Sequence, residues 1–164
     1  MMDRYLYRAW SKSEKKMFEP TLLKYDAFPI CDNHRLTHVD NDGWWHPIED
    51  IILMQCTGLR DGTKWEDLTP EEQEIFTHSL EGKFQSNPKE HWMGKSIFED
   101  DIVKYTKPGG HCSTGIVKYV TEFARWEYWH IKQKEGFPII SDNFNLEIIG
   151  NVHDNPELLE RLKP

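Results

Sequence analysis

The sequence predicts a mainly β fold, a small barrel or strongly bent sheet, in a single domain of 164 residues. Three observations support this prediction. The chain contains only three alanines, whereas bundles of long helices rely on alanine. Aromatic residues make up 13% of the chain, which is too many for a disordered protein and favours strands. Apolar and β-branched segments are short, and turn signals separate them about every ten residues.

The first half of the chain predicts a hairpin and one buried strand. Arg4–Trp10 is rich in aromatic residues, and Ser11–Lys16 has the polar composition of a turn before a second strand at Met17–Phe18. Ile51–Thr57 is an apolar run with the length of a buried strand. Gly58 is expected to end this strand, because a residue without a side chain permits a chain reversal.

The second half of the chain predicts four strands. They are Asp101–Thr106, Gly115–Tyr119, Arg125–Ile131 and Leu146–Val152. In the third of these, alternation places Trp126, Tyr128 and His130 on one face. Gly150 lies inside the last strand, which predicts a bulge or a close approach of another part of the chain.

Two helices are predicted from their first residues. Thr69, followed by proline and by Glu72 three positions on, forms a capping box, so a helix is expected to run to about Leu80 and to stop at Gly82. Asn155, which also precedes a proline, starts a short C-terminal helix.

The negative charge of the chain is concentrated in one stretch. Twenty Lys and Arg residues against 28 Asp and Glu residues give a net charge of −8, which argues against nonspecific nucleic-acid binding. The stretch Asp61–Asp101 holds eleven acids and four lysines, and therefore −7 of that total. Its acidic face is either a solvated surface or a docking surface for a basic partner.

The sequence predicts a cytoplasmic protein. No apolar run approaches the roughly 20 residues that span a bilayer, and the N-terminal residues lack the apolar region of a signal peptide. Cys31, Cys56 and Cys112 are an odd number of cysteines at wide spacing, which favours a reducing compartment over a disulfide framework.

Candidate metal and catalytic residues are few, and we expect no metal, no cofactor and no enzymatic activity. Cys31, His34 and His38 resemble zinc ligands in spacing, but a second cysteine pair is missing and the segment has the composition of a loop. Glu99–Asp101 is either a cation-binding triplet or, as we favour, a polar turn before a strand. The adjacent pair His111–Cys112 would point to opposite faces of a strand, which disfavours a catalytic dyad.

Trp44 and Trp45 are the candidate contact residues. Adjacent residues of a strand face opposite sides, so both tryptophans cannot reach one core and one is expected to stay partly exposed. Exposed tryptophan is typical of contact surfaces between proteins.

Four blocks of the sequence resemble the YopX family of bacteriophage and prophage proteins. The blocks are LYRAW at 6–10, LMQCTGLRD at 53–61, IFEDDIV at 97–103 and EIIGNVHDNPELL at 147–159. They keep the order of the family and span nearly the whole chain. Asp100 stands where the family usually has glycine, and residues 61–96 hold an acidic helix that has the features of an insertion into a single domain.

The resemblance implies an SH3-like barrel core, self-association and a phage origin inside a bacterial cell, and it supplies no catalytic residues. We therefore expect a phage- or prophage-encoded, non-enzymatic accessory protein that contacts a host or phage protein. The expected partner-binding residues are Trp44, Trp45, Glu71, Glu72 and Glu74. Two alternatives are an acidic decoy that mimics nucleic acid and a metal-dependent hydrolase that uses the segment 31–40 or 99–101.

Overall fold

The computed structural model describes residues 7–20, 22–26, 35–41, 43–80, 87–106, 110–139 and 145–162. Strands dominate within these ranges, which confirms the predicted mainly β fold. The strands are β1 (Tyr7–Ser11), β2 (Lys16–Phe18), β3 (Leu22–Asp26), β4 (Arg35–Asn41), β5 (Trp44–Pro47), β6 (Ile51–Arg60), β7 (Ser96–Phe98), β8 (Asp101–Thr106), β9 (Cys112–Val120), β10 (Arg125–His130), β11 (Glu135–Pro138) and β12 (Asn145–Asn151). The helices are α1 (Pro70–Leu80) and α2 (Pro156–Leu162), and neither is long and apolar enough to cross a membrane.

The strands form three antiparallel sheets. The first sheet has the order β2-β1-β6-β7, the second β11-β10-β9-β8-β12 and the third β3-β4-β5. The five-stranded sheet curls into half a barrel. Strands that follow one another in the chain mostly pair directly, which suits a fold joined by short turns.

Most predicted elements are confirmed with small changes of length. β8 has the predicted bounds, and β1 and β2 flank the predicted polar turn. The loop predicted for the segment 31–40 is wrong from Arg35 on, because β4 begins there; residues 31–34 lie outside the described ranges. Val39 and Asp40 of β4 are buried, and pairing with β3 and β5 holds the strand extended.

Gly58 does not end its strand as predicted. β6 continues to Arg60, and the register against β7 shifts between Cys56 and Arg60. Gly58 has a φ of 78°, a backbone conformation that residues with a side chain rarely adopt. It therefore forms an irregularity inside a longer strand.

Gly150 has both features that the sequence predicts. The register of β12 against β8 shifts between Ile148 and Gly150, so the strand bulges there. A Cβ atom at Gly150 would lie 2.7 Å from Leu158 Cδ1, because α2 packs directly on this part of the strand. The glycine thus allows the C-terminal helix to approach the sheet.

The buried side chains form three clusters. The largest joins Ile97 of β7 to four residues of the five-stranded sheet, Val103, Val117, Tyr128 and Leu146. Tyr128 donates its hydroxyl proton to Ser113 Oγ over 2.9 Å or accepts one from it, and burial raises the pKa of Tyr128. The other two clusters hold Ala9, Phe18, Val39 and Ile51, and Trp10, Met54 and Phe98.

A buried carboxylate joins the four-stranded sheet to the five-stranded sheet. Asp101, the first residue of β8, is fully buried and forms an ion pair with Arg8 of β1. It also accepts hydrogen bonds from the Phe98 backbone N–H at 2.9 Å and from Asn151 Nδ2 at 3.1 Å. Burial raises the pKa of Asp101, and the neighbouring Arg8 charge opposes this rise.

The Arg8→Met substitution tests this junction. It leaves the Asp101 carboxylate buried without its counter-charge, so we expect a loss of about 3–5 kcal/mol of unfolding free energy in urea titrations. Lys104→Met is the control, because it removes an exposed ion pair with Glu147 and should cost less than about 1 kcal/mol. The R8M loss should shrink as the pH falls, because the isolated carboxylate, whose pKa is raised by burial, takes up a proton. Equal losses in the two variants would contradict the role of Arg8.

Candidate functional site

Trp44 and Trp45 of β5 form the most exposed aromatic pair on the described surface, and we call them the tryptophan edge. Trp44 is 77% exposed and Trp45 is 47% exposed. The two side chains point to opposite faces of the strand, because they are adjacent in it. Both faces of the sheet are therefore uncovered at this point, whereas the sequence predicted exposure of only one tryptophan.

The core ends just before the tryptophan edge. His46 packs against Phe18 with ring centroids 5.3 Å apart, and Val39, opposite His46 in β4, is buried. Trp44 shares the face of His46 but lies beyond this contact, two residues away. Trp45 lies on the other face, opposite the buried residue Asp40.

Helix α1 begins with the predicted capping box. Thr69 N donates to Glu72 Oε2 at 2.8 Å, and Glu72 N donates to Thr69 Oγ1 at 3.2 Å. Glu72 also accepts a hydrogen bond from Lys95 Nζ at 2.6 Å, which lowers the pKa of Glu72. Of the predicted acidic contact residues, Glu72 is thus engaged within the chain, while Glu71 and Glu74 are exposed.

An aromatic cluster holds the segment around α1 together. Trp65, Phe76 and Trp92 contact each other edge to face, with ring centroids 5.0–6.2 Å apart. Trp92 Nε1 donates to the Thr63 carbonyl oxygen at 2.8 Å. The segment therefore has a small packed centre of its own.

Asp61 connects this segment to strand β12. The buried Asp61 carboxylate accepts hydrogen bonds from Lys95 N at 2.7 Å and from Ile148 N of β12 at 3.4 Å. Asp61 N donates to the Lys95 carbonyl oxygen at 2.9 Å, so the two ends of the segment lie side by side. Asp61 is thus bound to β12, the edge strand of the five-stranded sheet. That residues 61–96 are an insertion stays a prediction.

The Asp100 and Asp101 carboxylates of the turn before β8 are bound by other residues of the chain. Asp100 has a φ of 64°, so it takes the left-handed conformation without being glycine. Its carboxylate forms an ion pair with Lys118 of β9 and a hydrogen bond with His153 Nε2 at 2.9 Å. Together with the Arg8 pair of Asp101, these contacts support the interpretation of 99–101 as a polar turn.

The described residues contain no group of three or more His, Cys, Asp or Glu side chains arranged to hold a metal ion. Cys31 and His34 lie outside the described ranges, so the structure gives no distances from them to His38. His38 itself lies on β4, where its Nδ1 atom is buried without a hydrogen-bond partner. The pair His111–Cys112 is exposed at the start of β9.

The ion pair between Glu72 and Lys95 predicts a pH-dependent contribution to stability. A lowered pKa means that this contribution is present above the pKa of the unfolded chain and disappears as the pH falls through the folded value. E72Q should therefore lose up to about 1 kcal/mol at neutral pH, and nothing at a pH below the folded pKa of Glu72, in thermal melts. The control E74Q removes an exposed carboxylate of the same helix. An E72Q deficit that is equally large at both pH values would contradict the prediction.

The segment around α1 should be removable as a unit. Replacing residues 64–93 with a short Gly-Ser turn keeps Asp61 and Lys95, whose backbone hydrogen bond already brings the two ends together. The three rings of the Trp65, Phe76 and Trp92 cluster are removed together, and Thr63 and Lys95 each lose one hydrogen bond to the deleted segment. We expect a cooperative thermal transition and a five-stranded sheet that is still protected from hydrogen exchange. A non-cooperative melt would show that the segment belongs to the folding core.

Comparisons with family models and with solved structures each found a match for this chain. The family model described as YopX protein matches residues 6–76 and 92–160, which is most of the chain. The X-ray crystal structure of the protein yopX from Bacillus subtilis has the same fold, with a TM-score of 0.50 and 18% sequence identity over 93% of this chain and 95% of that one. No curated protein matches the chain. On the extent of the family match, the chain belongs to the YopX protein family.

Proposed function

We propose that this chain is a phage- or prophage-encoded accessory protein, without enzymatic activity, that works as a protein-interaction module in the bacterial cytoplasm. The tryptophan edge carries the proposal, because both of its side chains are exposed, at 77% and 47%, next to each other. Tryptophan is enriched among the residues that dominate binding energy in protein interfaces. The phage origin and a capacity to self-associate are supported by the family resemblance of the four sequence blocks.

The engagement of the buried charges supports a non-enzymatic role. Asp101 and Asp100 are buried, and they form ion pairs with Arg8 and Lys118, respectively. A catalytic acid or base must be within reach of a substrate proton, and these groups instead hold strands together. The ion pairs account for these four charged residues, and no reaction has to be assumed to explain them.

The decoy alternative is less well supported by the acidic segment. Glu66 forms an ion pair with Lys89, which lowers the pKa of Glu66, and Glu72 forms one with Lys95. These ion pairs neutralise two of the carboxylates that would have to imitate the phosphates of a nucleic acid. Two of the acids in this segment are therefore paired with lysine.

The double substitution W44A/W45A tests the proposed function. The full chain, tagged and produced in a bacterial host that carries the phage, serves as bait for partner capture, and light scattering of the same variants reports binding of a second copy. We expect W44A/W45A to lose the captured partner by at least about tenfold, because truncated tryptophan anchors cost the most binding energy.

Phe123→Ala is the matched control, since Phe123 is 55% exposed and lies outside the tryptophan edge. This variant should retain the partner. Equal capture by the wild type, W44A/W45A and F123A would show that the tryptophan edge is not the contact surface.

A further inference from the structure

We draw no further inference here: the strongest candidate, the apolar patch on the five-stranded sheet where the partly exposed side chains of Tyr119, Trp126 and Phe137 share one face, is an unpartnered sheet face, and nothing in the described part of the structure shows what covers it.

Discussion

The fold depends on the buried ion pair between Arg8 and Asp101. Asp101 is fully buried at the start of β8, and its partners come from three other strands, since Arg8 lies on β1, Phe98 on β7 and Asn151 on β12. Because an isolated buried charge is costly, the strands must meet in the one arrangement that supplies all three partners. The pair thus fixes how the four-stranded and five-stranded sheets meet.

The turn next to this ion pair binds residues near the C-terminus of the chain. Asp100 takes a left-handed conformation to end β7 and begin β8, and its carboxylate then holds Lys118 and His153. Val152 N donates to the Asp100 carbonyl oxygen at 3.0 Å, which places the segment before α2. The charges of Asp100 and Asp101 are therefore structural.

Local signals in the sequence predicted the elements that depend on local interactions. The capping box at Thr69 and Glu72 and the bounds of β8 are of this kind. β4 and the continuation of β6 through Gly58 were missed, because pairing with other strands holds those residues extended. The partners of Asp100 come from distant positions in the chain, and no spacing rule brings them together. Sequence reasoning identified the tryptophan pair, but only the structure shows that the core stops at His46.

Photo-crosslinking from the tryptophan edge tests the central claim most directly. The photoreactive residue p-benzoylphenylalanine would replace Trp44 in one variant and Phe123 in a control variant, since both positions hold exposed aromatic side chains. Each variant would be irradiated in the phage-carrying host and the products separated by mass. The account predicts a discrete crosslinked partner from position 44 and none from position 123. The same products from both positions, or none from position 44, would contradict it.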